Sequence, residues 1–570
     1  MGEKITGAEG LIKSLLSEGV DLVFGYPGGA IITVYDKLYD YQDKLHHVLV
    51  RHEQGAVHAA QGYARITGRP GVVIVTSGPG ATNVVTGLSD ALMDSTPLVV
   101  ISGQVASAFL GTDAFQETDV VAMTQQVTKW AIQIRKPEDI PAAVARAFYI
   151  ASTGRPGPVV LDISKDAQTG LMEWNHKTCD FIRSYNPNPD VKEEDIQVVA
   201  DLINNSERPL ILSGHGVAIS NAEEELKTLA ETADIPVSAT LLGLSTMNSD
   251  HHLYKGMLGM HGNVGPNIAT NKADVILAIG MRFDDRVTGD VSKYASNSKI
   301  VHIDIEPAEL NKNITVHKAI NADAKTFLTA LLPKIKQNKH TEWLSLFDQC
   351  DKVEYDEVIS EEVFPQAGQM KMGEVVNMVA DKAGKGAVCV TDVGQNQMFA
   401  SRYFKYSAPK SFISSGGLGT MGFGLPAAIG ASMGAPDRTV CLFVGDGGLQ
   451  MTVQELGTIM EHNVSVKIVL LNNNFLGNVR QWQTLFFHNR YSQTHLVNPD
   501  FVSLAAAYGI KGEDVATREE LPAAIDRMLA HDGTYILNVD IDPADMIFPM
   551  IPAGGTVDNI MLNPNKKFSL

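Results

Sequence analysis

The sequence predicts an α/β protein of three doubly wound domains, each an open parallel sheet covered by helices on both faces. Three observations predict it. The chain has 570 residues, more than one hydrophobic core usually serves. Its apolar runs are short, β-branched and nearly continuous, as in strands buried on both faces of a parallel sheet. Two polar, proline-containing or charge-rich stretches, 183–195 and about 336–368, divide the chain into thirds of one design.

The strands follow in order. DLVFG (21–25), GVVIVTS (71–77), PLVVISG (97–103) and GPVVLDIS (157–164) belong to the first third. PLILSGHG (209–216), IPVSAT (235–240), DVILAIG (274–280) and IVHIDIE (300–306) build the second. AVCVTDVG (387–394), TVCLFVGDG (439–447), VKIVLLNNN (466–474) and YILNVDID (535–542) build the third. Helical periods between them supply the crossovers. The expected domains are 1–180, 190–340 and 365–550, with a tail at 551–570.

Hydrophobic residues make up 44% and charged residues 19% of the chain, an ordinary globular composition. The net charge of −19 offers no basic face for nucleic acid or an acidic bilayer. Cys179, Cys350, Cys389 and Cys441 are dispersed and share no metal-ligand spacing, which points to a reducing compartment. No secretory signal is visible, and no apolar segment approaches the ~20 residues of a membrane span. A cytoplasmic location is expected.

In open sheets of this kind ligands bind beyond the carboxyl ends of the strands. The stretch FVGDGGLQ (443–450) ends an apolar strand in a lone acid between glycines. Gly445, Gly447 and Gly448 let backbone N–H groups approach an anion, and a following helix favours negative charge at its start. Thr452 and Glu455 fit a capping box, so that helix is expected to begin after Thr452. A carboxylate beside an anion calls for a divalent cation, and Mg²⁺ takes carboxylate and phosphate oxygens together. Asn473 ends the next strand, one helix and one parallel strand later, so Asp446 and Asn473 are a candidate Mg²⁺ pair. The alternative is two unrelated turns, because Gly, Asp and Asn are common turn residues.

This GDG…NN arrangement resembles the diphosphate motif of the thiamine-diphosphate enzymes, whose pyrimidine-binding, central and diphosphate-binding domains agree with the three thirds. The resemblance implies that Asp446, Asn473 and the Phe475 carbonyl hold Mg²⁺. Glu53 in RHEQGA (51–56) resembles the family's glutamate, which switches the tautomer of the coenzyme's aminopyrimidine. Met421, in GGLGTMGFG (416–424), would wedge beneath the coenzyme beside Gly419. Gln395 and Asn396 would meet its diphosphate, although the nearest branch of the family more often has His at 396. Tyr26, Pro27 and Gly28 would complete the coenzyme contacts. In this family the coenzyme bridges the first domain of one subunit and the third of another, which implies a homodimer or homotetramer.

Ordered segments narrow the resemblance to acetohydroxyacid synthases, also called acetolactate synthases. FGYPGGAI (24–31), VTSGPGATN (75–83), AFQETD (114–119), TGRPGPVVLDISKD (153–166), MRFDDRVTG (281–289) and NVRQWQ (478–483) carry it. It implies decarboxylation of pyruvate and carboligation to a second pyruvate, giving 2-acetolactate, or to 2-ketobutyrate, giving 2-aceto-2-hydroxybutyrate. These are the first common steps of valine, leucine and isoleucine biosynthesis. Arg286 would hold the second 2-keto acid by its carboxylate, as a bidentate guanidinium fork suits; the alternative is a surface salt bridge with Asp284 or Asp285. Trp482 would shape the pocket for the extra methyl of 2-ketobutyrate. Gly29 and Gln116 would line the reaction centre, with Lys165 at the substrate channel. The chain departs from the usual Gly-Met-Val by carrying Asn478 between Gly477 and Val479.

The resemblance also implies a structural FAD, although the middle third lacks a G-x-G-x-x-G fingerprint. Its contacts would be Arg155, Gly214, His215, Gly216, Met260, His261, Gly280, Arg282, Asp284, Arg286, Asp304, Glu306 and Asp323. A separate small regulatory subunit is a further expectation. The rivals are another thiamine enzyme, such as pyruvate oxidase, a 2-keto acid decarboxylase, oxalyl-CoA decarboxylase or the flavin-free catabolic acetolactate synthase. A non-catalytic nucleotide-binding scaffold is the rival from another class; the intact Glu53, Asp446 and Asn473 disfavour it.

Overall fold

Three six-stranded parallel sheets carry the chain, in a computed structural model that describes residues 4–569. Residues 1–3 and 570, which the expected first domain and tail include, lie outside the described residues.

The first sheet contains β1 (Leu22–Gly25), β2 (His46–Leu49), β3 (Gly71–Val75), β4 (Leu98–Gln104), β5 (Trp130–Ile134) and β6 (Pro158–Ser164), ordered β2-β1-β3-β4-β6-β5. The second contains β7 (Pro209–Ser213), β8 (Val237–Ala239), β9 (Tyr254–Met257), β10 (Val275–Ile279), β11 (Lys299–Asp304) and β12 (Lys318–Asn321), ordered β9-β8-β7-β10-β11-β12. The third contains β13 (Val388–Thr391), β14 (Phe412–Ile413), β15 (Val440–Gly445), β16 (Lys467–Asn472), β17 (Lys511–Val515) and β18 (Tyr535–Asp540), ordered β14-β13-β15-β16-β18-β17. The outer two sheets therefore share one strand order, and the middle sheet has the doubly wound order of a dinucleotide-binding fold.

The β-branched runs explain the sheets. Val72 to Val75 and Val159 to Leu161 are buried along their whole length, because helices cover both faces. Segments 174–192, between the first two domains, contain neither helix nor strand. Two short antiparallel ribbons lie outside the main sheets: Lys4–Thr6 with Leu171–Glu173, and Met561–Asn563 with Lys566–Lys567.

The first and third domains meet through two helices of small residues, Glu53–Thr67 and Gly424–Gly434. A Cβ on Gly62 would collide with the Ala427 carbonyl, and one on Gly430 with the Ala59 carbonyl. Backbone therefore packs directly on backbone at this crossing, which only glycine permits.

Candidate active site

The expected Asp446 and Asn473 pair is set by the sheet. Gly445 at the end of β15 pairs with Leu471 in β16, so the two strand ends are neighbours. The helix after the turn is Asp446–Met451, with Gly445 as its extended N-cap. A helical turn thus begins already at Asp446; the expected helix after Thr452 is also present, as a 3₁₀ turn Val453–Glu455 leading into Leu456–His462, but without the expected capping box. The Thr452 hydroxyl donates to the Gly422 carbonyl at 2.9 Å. The Glu455 carboxylate accepts the Arg51 N–H at 3.2 Å and the Thr458 hydroxyl at 2.6 Å. Acceptance from the first domain outcompetes the local cap.

Asp446 is buried, and burial pushes its carboxyl above the ordinary range while a hydrogen bond from Asn498 opposes the shift. Asn498 donates to Asp446 Oδ2 at 2.7 Å and lies within 3.1 Å of the amide oxygens of Asn472 and Asn474. Asn473 Oδ1 accepts the Phe475 N–H at 3.1 Å, closing a tight turn in which Asn474 has φ +58°. Asn473 Nδ2 lies 3.4 Å from Gln395 Oε1. The donor set is all oxygen, and the partners of the buried carboxylate are amides and backbone N–H groups, so the residues fit Mg²⁺. The turn is packed too closely for side chains at its glycines. A Cβ on Gly447 would stand 2.9 Å from Leu476 Cδ2, and one on Gly448 would collide with Asp392.

Asp392, at the end of β13, fixes the neighbouring glycine loop. Its carboxylate accepts the N–H groups of Gly422 and Gly424 at about 3 Å. Asn396 donates to the Phe443 carbonyl at 3.0 Å, while Gln395 donates to Gln481 and to the Asp545 carbonyl. Met421 is half-buried beside the same turn, its methyl 3.7 Å from where a Gly447 Cβ would stand. Asp94 anchors the other end of the glycine loop from the first domain. It accepts the N–H of Gly416 and of Gly417 at 2.8 and 2.7 Å and pairs with Arg65 at 2.8 Å.

A cavity of about 960 Å³ opens where the three domains meet. Its wall includes Arg155, His215, Gly216, Met260, His261, Gly280, Arg282 and Asp284. Arg286, Asp304, Asp323, Gly419 and Trp482 line it as well. Gly214 and Glu306 lie at the ends of β7 and β11, next to lining residues. Arg155 is tied to Glu309 at 2.8 Å and to Ser95 at 2.9 Å. Burial pushes His215 and His261 down to about 4, so both rings are neutral near pH 7. Burial pushes Asp304 up to about 6. His261 Nδ1 is buried without a partner. The volume, the mixed lining and this orphan nitrogen fit a large planar cofactor. Asp284 caps its own helix by accepting the Arg286 N–H at 3.0 Å. Arg286 also has Asp285 at 3.8 Å, with its side chain 60% exposed, so the salt bridge and the cavity placement coexist.

The first-domain candidates other than Arg155 stand apart from this cavity. Glu53 opens the helix Glu53–Thr67, and its Oε2 accepts from Asn83 at 2.9 Å. Tyr26, Pro27, Gly28 and Gly29 follow β1, Lys165 follows β6, and Gln116 sits at φ +59° beside Gly78. None of them lines the cavity of Arg286 and Trp482. Exposed apolar side chains accompany them: Phe115 is 88% and Tyr26 40% exposed, with Val497 at 90% in the third domain. Asn498, Asp392 and Asp94 were not legible as site residues, because each acts on a partner distant in sequence.

Comparison with known proteins identifies the family. The thiamine pyrophosphate enzyme N-terminal TPP-binding domain matches residues 5–123, the central domain 196–331 and the C-terminal TPP-binding domain 392–539. A probable acetolactate synthase large subunit of Methanocaldococcus jannaschii is 45% identical over 565 residues, covering 97% of this chain and 95% of the relative. The acetolactate synthase isozyme 2 large subunit of Escherichia coli is 42% identical over 555 residues, 97% of this chain and 98% of the relative. The acetolactate synthase large subunit of Corynebacterium glutamicum is 43% identical over 571 residues, 98% of this chain and 90% of the relative. On strand order, the Asp446 turn and these full-length similarities, the chain belongs to the acetolactate synthase large-subunit family of thiamine pyrophosphate enzymes.

Proposed function

We propose that the chain catalyses the thiamine-dependent joining of two 2-keto acids: pyruvate loses CO₂, and its two-carbon remainder adds to a second pyruvate or to 2-ketobutyrate. The observation that carries this reading is the cavity shared by Arg286 of the middle domain and Trp482 of the third. A guanidinium and an indole ring bordering one cavity suit a small carboxylate with a short aliphatic tail.

When bound, thiamine diphosphate supplies the carbon nucleophile of the reaction. Asp446, Asn473 and the Phe475 carbonyl would hold its diphosphate through Mg²⁺. Gln395, Asn396, Gly445, Gly447 and Gly448 would contact the same diphosphate, and Gly419 and Met421 would support the ring system. Glu53 would exchange a proton with the coenzyme's pyrimidine, oriented by Asn83. Arg286 would fix the carboxylate of the second keto acid, so that carbon and not a proton is the acceptor. Gly29, Gln116 and Lys165 would line the approach.

The separation of Glu53, Gly29 and Gln116 from the Arg286 cavity, together with the exposed Phe115 and Val497, supports a homodimer in which two chains complete each site. FAD would fill the cavity beside His215, His261 and Arg282 as a structural group. The relatives' names include "large subunit", which supports a small regulatory partner. Among the described residues no helix is long and apolar enough to cross a membrane, and we place the enzyme in the cytoplasm.

The test is acetolactate formation from pyruvate with thiamine diphosphate, Mg²⁺ and FAD. Wild type should form acetolactate, and Glu53→Gln should lose about 10²–10⁴ in rate. Acetaldehyde or acetyl phosphate as the sole product, or equal rates for the two proteins, would overturn the reading.

A further inference from the structure

One amide in the wall of the large cavity has no partner. Asn478 is the second residue of the helix Gly477–Phe486 and lines the cavity together with Val479 and Trp482. Its Oδ1 is buried and accepts no hydrogen bond. Trp482 lies one turn further along the same helix, so the two side chains share a face with Cβ atoms about 5–6 Å apart. Leu418 and Gly419 belong to the same wall.

A buried amide oxygen without a donor is costly, and such groups in native proteins usually have a ligand or water to satisfy them. Pyruvate and 2-ketobutyrate offer no donor: their oxygens accept, and their side chains are a methyl and an ethyl. A hydroxyl both donates and accepts. It therefore complements either end of an amide that turns about its broad terminal torsion.

We propose that Asn478 is a specificity-determining residue that admits a 2-keto acid with a side-chain hydroxyl as second substrate. The proposal rests on the reading above, in which Arg286 holds the carboxylate of that substrate and Trp482 borders its side chain. The chemistry balances without an oxidant. Pyruvate loses CO₂, and its carbonyl carbon forms a C–C bond to the keto carbon of the hydroxylated acid. The keto oxygen takes up a proton and becomes a tertiary alcohol. With 3-hydroxypyruvate the products are 2-acetyl-2,3-dihydroxypropanoate and CO₂.

The experiment is a competition in the holoenzyme. Pyruvate is the donor, equal 3-hydroxypyruvate and 2-ketobutyrate are the acceptors, and mass spectrometry gives the product ratio. Wild type should form the dihydroxylated product. In Asn478→Leu, which is nearly isosteric, the ratio should move about tenfold toward 2-ketobutyrate, the scale of one ordinary hydrogen bond. Asn478→Ala should move it in the same direction, which guards against a folding defect in one variant. A ratio that stays within twofold in both variants, or no dihydroxylated product from a wild type that makes acetolactate, overturns the proposal. Failure of wild type to make acetolactate from pyruvate alone would instead overturn the reading on which it rests.

Discussion

Asn498 donates to Asp446 at 2.7 Å from a position 52 residues further along the chain. An amide that orients a metal-binding carboxylate commonly tunes affinity by 10- to 100-fold. Asn498→Ala should therefore raise the Mg²⁺ concentration for half-maximal activity about tenfold, with turnover restored at saturating metal. Asp446→Ala should be inactive at every Mg²⁺ concentration. A metal titration of the Asn498 variant that overlays wild type would remove the orienting role.

Asn83 donates to Glu53 Oε2 at 2.9 Å. Removing one orienting bond is worth about 1 kcal/mol, so Asn83→Ala should slow acetolactate formation roughly five- to tenfold. That loss is smaller than the one expected for Glu53→Gln. Equal losses in the two variants would mean that Asn83 does more than orient.

Arg286 should separate decarboxylation from carboligation. In Arg286→Gln, CO₂ release from pyruvate should continue while acetolactate falls about 10- to 100-fold, the range for a charge-assisted hydrogen bond. Parallel measurement of CO₂ and acetolactate decides it. A proportional fall in both would place Arg286 at the first step.

Glu362 predicts a pH signature in stability. It is buried, accepting from Tyr403 and from the Phe548 N–H at 3.0 Å, and burial pushes its carboxyl up to about 8. A raised carboxyl stabilises the fold fully below its ordinary value near 4.5, and that contribution is lost as pH rises through about 8. The slope for one proton is up to about 1.4 kcal/mol per pH unit. Glu362→Gln has no such group, so its melting temperature relative to wild type should rise between pH 6 and pH 9. A difference independent of pH would show that Glu362 titrates normally.

Strands and the turn at Asp446 were legible because their determinants are local. Val440–Gly445 reads as a buried strand from its own residues, and the glycines around Asp446 announce a turn without side chains. The Thr452–Glu455 pattern marked a real helical segment but misled about its cap, for the same reason. It describes a favourable local cap, yet Glu455 turns to the Arg51 N–H, 404 residues away in sequence. Asp94 and Asp392 were invisible because each acts by gripping a glycine loop that only the folded chain brings near. The wall of the large cavity was legible only through resemblance, since its residues are scattered from Arg155 to Asp323 and share no spacing.

The glycine contact at Gly62 and Gly430 carries a consequence for how the molecule comes apart. Two helices in such intimate contact cannot slide without prising whole cores open, so the outer thirds should melt as one calorimetric unit. Cutting the chain within 183–195 should then leave the fragments associated until that shared transition.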